Sequence, residues 1–131
     1  MTGGAKPLAL APAMAENLAR WLDSERATRD RSDHTIRAYQ ADLLAFLAFL
    51  GGYHGTPALP ATLAGLTQSD MRAFAAAERG RGLSPRSLAR RLSATRSFIR
   101  WMSDRHGFDA SRALASRSPK FTRSLPRPLA P

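Results

Sequence analysis

No cysteine occurs anywhere in the chain, so a disulfide framework and a thiolate metal site are both excluded. Histidine is scarce, and His34, His54 and His106 stand without ligand spacing. No metal or other cofactor is therefore expected. Long hydrophobic runs are missing too: nowhere do about 18 apolar residues follow one another, the length that a membrane-spanning helix needs. Acidic residues are few, 10 Asp and Glu against 20 Lys and Arg in 131 residues, for a net charge of +10. Such a surplus favours nucleic acid or an anionic surface as partner, because neutralising phosphates releases condensed counterions. Lysine is almost absent, Lys6 and Lys120 being the only two. With so much alanine, a GC-rich genome explains this bias as well as a need for guanidinium forks does, so it carries no weight. Strand-like alternation is missing as well, which leaves an all-α fold.

What the chain does have is a basic helix. Eight arginines fall between Arg79 and Arg105, against one acid, Asp104. Ser84 is suited to the N-cap, its hydroxyl accepting an unpaired amide of the first turn, and Pro85 to the first helical position. From there Leu88, Leu92, Thr95, Ile99 and Met102 recur at three- and four-residue steps and predict a narrow apolar stripe. The opposite side carries Arg86, Arg90, Ser93, Ser97 and Arg100. A helix with one face in a core and arginines turned outward suits a polyanion, and double-stranded DNA is the leading partner.

The remaining pattern predicts a bundle of four to five helices over residues 13–117, with a tail at 1–12 and an extended linker at 118–131. The first helix covers residues 12–27, with Leu18, Trp21 and Leu22 inward and Glu25 and Arg26 outward. The second starts at Ser32 or Asp33 and stops at the Gly51-Gly52 pair. Ile36, Tyr39, Leu43, Phe46, Leu47 and Leu50 form its core face, and Arg37, Ala38 and Ala41 its early outer face. Pro57 and Pro60 predict an irregular loop. Thr67 and Asp70 read as a capping box opening a third helix on Met71 and Phe74. A short last helix after Asp109 is expected to bury Leu114. Phe98 and Trp101 lie off the stripe of the basic helix and are expected to pack on that last helix. Lys6 followed by the apolar run from Leu8 to Ala11 could suggest a secretory leader, but Pro7 and Pro12 bracket that run and leave it too short, so a cytoplasmic protein is expected.

Three blocks carry a family resemblance: Ser32-Asp33-His34-Thr35-Ile36-Arg37-Ala38-Tyr39 with Asp42-Leu43 and Phe46-Leu47; the run from Arg81 to Ala94 with Arg96-Ser97-Phe98; and Pro119-Lys120 with Leu125-Pro126-Arg127-Pro128-Leu129. Their order and spacing resemble the N-terminal, SAM-like core-binding domain of bacterial tyrosine recombinases of the Xer and phage integrase type. The resemblance implies half of a clamp around duplex DNA, with two crossed helices presenting their N-terminal parts to the major groove. Carried over by position, Ser32, Thr35, Arg37 and Ala38 lie at the DNA on one helix, and Arg86, Ser87, Arg90 and Arg91 on the other. Arg86 and Arg90 are the expected readers of guanine edges, and Lys120, Arg123 and Arg127 are expected to track the backbone. In the whole enzyme the resemblance implies a partner recombinase of the same type and a tetrameric synapse. Its cleaving tyrosine, with an Arg/Lys/His cluster, belongs to a second domain expected beyond Leu129. Tyr39 sits on an apolar stripe and Tyr53 in a glycine-rich loop, so neither reads as a nucleophile. No catalytic residue is expected here: the chain should hold DNA as a monomer and cut nothing. A basic helical module docking an acidic protein, or a helix-turn-helix regulator, fits the charge as well, but not the three blocks.

Overall fold

The computed structural model describes residues 10–115. Their elements are α1 (Pro12–Arg29), α2 (Asp33–His54), α3 (Pro60–Ala64), α4 (Gln68–Gly80), α5 (Pro85–His106) and α6 (Ser111–Leu114). No strand occurs among the described residues. The expected tail and linker, with Lys120, Arg123 and Arg127, lie almost wholly outside them. At the boundary, Leu10 and Ala11 pack against the core.

Helix starts follow local chemistry. Ser32 Oγ accepts from Thr35 N–H at 3.1 Å and Ser84 Oγ from Ser87 N–H at 3.1 Å, each satisfying an amide of the first turn. The capping box of α4 is reciprocal: Thr67 N–H donates to Asp70 Oδ2 at 2.9 Å, and Asp70 N–H to Thr67 Oγ1 at 3.2 Å. A carboxylate one methylene shorter than the usual Glu closes it equally well. Before α6, Asp109 Oδ1 accepts from Ser111 N–H at 2.9 Å, and hydrogen bonds from Ser111 hold that carboxyl below its usual range.

Helix ends depart from the sequence expectation. The Gly51-Gly52 pair does not stop α2. Gly51 is buried and Tyr53 stacks on Phe49 with ring centroids 5.1 Å apart, so packing offsets the ~1 kcal/mol each mid-helix glycine costs. Gly55 makes the stop, at φ 77°, its N–H returning to Gly51 O at 2.8 Å. A side chain would strain that left-handed turn. The loop that follows is not wholly irregular: Pro60 opens α3, Leu59 N–H donates to Thr62 Oγ1 at 3.0 Å, and Ala58, Leu63 and Leu66 are buried. That makes six helices among the described residues rather than four to five.

α2 and α5 form the largest helix pair, α1 lies against both, and α4 and α6 close the other side of α5. The stripe of α5 behaves as its spacing predicts, Leu88, Leu92, Thr95, Ile99 and Met102 all being buried. Phe98 is fully buried as well: it meets Trp21 of α1 edge-on at 5.5 Å and stacks on Trp101 at 6.2 Å. In α6 the fully buried residue is Ala113, and Leu114 is only half-buried. α4 and α5 both pack on α6 there.

Thr95 is fully buried and its hydroxyl has no hydrogen-bond partner among the described residues. Thr95→Val keeps the shape and removes the desolvated hydroxyl, so chemical denaturation should show a gain of about 1 kcal/mol. A loss instead would mean that the hydroxyl is satisfied in solution.

Candidate nucleic-acid interface

The N-terminal halves of α2 and α5 are joined by a buried carboxylate. Asp42, on α2, is fully buried. Its Oδ2 accepts from Arg90 Nε at 2.8 Å, and its Oδ1 from Arg90 Nη2 at 2.7 Å and from Arg91 Nε at 2.9 Å. Arg91 reaches on through Nη1 to Glu78 Oε1 of α4. Two arginines of α5 are thus forked against acids from two other helices, a geometry in which planar guanidinium matches carboxylate. Hydrogen bonding to Asp42 holds the Arg90 guanidinium above its ordinary range, against the opposing effect of burial.

The two arginines differ in what remains available. Arg91 is 13% exposed and both of its ends meet buried acids, so it is a strut of the bundle. The family resemblance placed it at the DNA, while its place on the helical wheel lies nearer the core edge; its side chain turns into the α2–α4–α5 junction, where Asp42 and Glu78 lie. Arg90 is 40% exposed. A guanidinium carries five N–H donors, and Nε–H with one Nη2–H satisfies Asp42. Three donors remain, including both on Nη1. The carboxylate fixes the plane of the fork, and its charge cancels much of the long-range field of Arg90.

The other sequence-derived residues sort by their hydrogen bonds. Arg37 and Arg86 are exposed and make no ion pair among the described residues. Ser32 and Thr35 are occupied at the cap, where Ser32 Oγ also donates to Thr35 Oγ1 at 3.1 Å. Ala38 and Ser87 are half-buried on the same helical turns as Arg37 and Arg86. Tyr39 is half-buried, stacks on Trp21 at 5.8 Å and lies under the Arg31 guanidinium at 5.6 Å. Among the described residues no group of three His, Cys, Asp or Glu is placed to hold a metal ion, and no helix is long and apolar enough to cross a membrane.

The sequence reading missed the acids. Glu25, expected outside, is 6% exposed and faces Arg31 Nε at 3.3 Å. Asp42 and Glu78 were given no role. All three share one signal: Glu25 follows Trp21 by four residues, Asp42 follows Tyr39 by three and precedes Phe46 by four, and Glu78 follows Phe74 by four. An acid on a core stripe must be paired, since burying a lone carboxylate costs several kcal/mol (about that order).

Comparison with known proteins agrees with this architecture. The family described as "Phage integrase, N-terminal SAM-like domain" matches residues 18–106. The chain is 47% identical over 120 residues, 91% of its length, to tyrosine recombinase XerC of Methylobacterium nodulans. It is 42% identical over 136 residues to XerC of Rhodospirillum centenum, covering 99% of this chain, and 40% identical over 109 residues to XerC of Agrobacterium fabrum, covering 83%. It spans 37%, 39% and 35% of those relatives' lengths, respectively. No solved structure gives a significant match. The match over residues 18–106, with these relatives, makes the chain a member of the phage integrase N-terminal SAM-like domain family, of the XerC-like tyrosine recombinase kind.

Proposed function

We propose that this chain is the DNA-holding domain of a XerC-like site-specific recombinase, gripping one half-site of a short target in the cytoplasm. The observation that carries this reading is the α2–α5 pair: exposed Arg37 and Arg86, with Arg90 oriented by Asp42, on helices locked together at Asp42. Arg86 and the free end of Arg90 are the groups for guanine edges, since a guanidinium fork matches O6 and N7 of guanine. Arg37 and the hydroxyls of Thr35 and Ser87 serve phosphates, Ser32 orders that turn as its cap, and Ala38 keeps the surface low enough for close approach. Arg91 acts through the fold, as the strut behind Arg90. The whole recombinase works with a XerD-like partner in a tetrameric synapse, exchanging strands to resolve chromosome dimers before cell division. Strand cleavage belongs to the part of the relatives that this chain does not span, where a tyrosine attacks the phosphate.

Duplex titration at several salt concentrations tests the reading. With about five phosphates neutralised, log K should fall against log salt with a slope of roughly −4 to −5. No binding to any duplex, or a flat salt response, overturns it.

A further inference from the structure

A second arginine cluster lies apart from the face argued above. The C-terminal turn of α1, the link to α2 and the middle of α5 bound a cleft of about 350 Å³ that includes Arg29, Arg31, Arg96 and Arg100. Glu25 is the one carboxylate among its lining residues. That acid already faces Arg31 at 3.3 Å. Arg29 and Arg100 are exposed and make no ion pair among the described residues. Asp104 borders the adjoining groove with them but bonds to neither. Arg96 donates to Leu114 O at 3.1 Å. Burial first and the neighbouring Arg100 second push the Arg96 guanidinium below its ordinary range. Like charges gathered beside a partly buried guanidinium repel, and an anion among them relieves the repulsion. Ser93 and Ser97 add hydroxyl donors to the wall.

Position identifies the anion. Arg86, Arg90, Ser93, Ser97 and Arg100 step along one side of α5 at three- and four-residue intervals. At 1.5 Å per residue, Arg100 lies about 21 Å along the axis from Arg86. The major groove is only about 12 Å wide. A helix whose first turn meets base edges has therefore left the groove by Arg100 and stands over the strand that borders it. We propose that the Arg29–Arg31–Arg96–Arg100 cleft seats a backbone phosphate of the bound duplex, outside the groove that α5 enters. The inference rests on the duplex-binding reading and adds a contact that fixes how deep α5 enters.

The test compares the 131-residue chain with R29A/R100A by fluorescence anisotropy on duplex DNA, between about 50 and 200 mM salt. Both side chains are exposed, so the fold should be kept, and circular dichroism melts check this. R100Q, which keeps the side-chain stem, serves if the double variant melts early. The expected result is a salt slope shallower by about 1 and an affinity roughly five- to tenfold weaker, alike on a selected and a random duplex. Unchanged slope and affinity in the variants, with the unaltered chain binding normally, overturn the cleft and leave the duplex reading standing. No duplex binding by the unaltered chain overturns both. Micromolar binding of inorganic phosphate, with duplex affinity unmoved in the variant, marks a free-anion site and likewise overturns the proposal.

Discussion

Replacing Arg91 with Met is expected to destabilise the domain by about 3–5 kcal/mol, read as a lower urea midpoint at unchanged slope. Arg91 is the one side chain that touches both Asp42 and Glu78, which are 0% and 4% exposed at their side chains. Met fills the volume but leaves Glu78 facing only Arg81, whose Nε is 4.0 Å away and whose side chain is 73% exposed. A distant, solvated cation compensates a buried carboxylate poorly, so the desolvation cost falls on the folded state. Asp42 keeps its two bonds from Arg90 and adds little to the loss. Adding Glu78→Gln to Arg91→Met should recover a good part of the stability, because the double variant no longer buries an unpaired charge. A loss below about 1 kcal/mol for Arg91→Met would show that Glu78 is hydrated in the folded domain, and the strut would not exist. Folded Arg91→Met should still bind duplex with most of its salt dependence, because its charge is already matched by acids.

Phe98→Ala should cost a similar amount, about 3–5 kcal/mol, by loss of buried area and by the cavity left behind. Phe98 is fully buried between Trp21 and Trp101, edge-on to one and stacked on the other. Such ring contacts contribute about 0.5–1.5 kcal/mol beyond burial. A domain of this size has roughly 5–15 kcal/mol in all, so the variant should be close to unfolding at body temperature. Calorimetry would register a large fall in the melting temperature. A fall no larger than that of an exposed control such as Leu44→Ala would place Phe98 at the surface, since Leu44 is 41% exposed.

Much of this architecture was legible before folding. The caps at Ser32, Ser84 and Thr67 were readable because a cap is a contact between residues three apart. The α5 stripe was readable because 3.6-residue periodicity is local. Three errors share the opposite cause. The Gly51-Gly52 pair was read as a stop on propensity alone, whereas Tyr53 stacking on Phe49 and the burial of Gly51 carry α2 to His54. Leu114 was expected in the core, where Ala113 lies instead, because a helical wheel gives a direction and not what stands there. Glu25 was placed in solvent because its partner, Arg31, lies past the helix end and reaches back to it.

For the interface the division is sharper. Composition and periodicity alone determined that this is an all-α domain with a strongly basic helix, since both properties are summed over residues or repeated along them. The similarity of the three sequence blocks added the family. Only the tertiary structure decided which arginines are forked against acids and which stay exposed with no ion pair among the described residues. Asp42 is 48 residues from Arg90 and 49 from Arg91 in the chain, and no local rule connects them. An arginine's availability depends on the carboxylate nearest to it in space, and folding alone brings the two together.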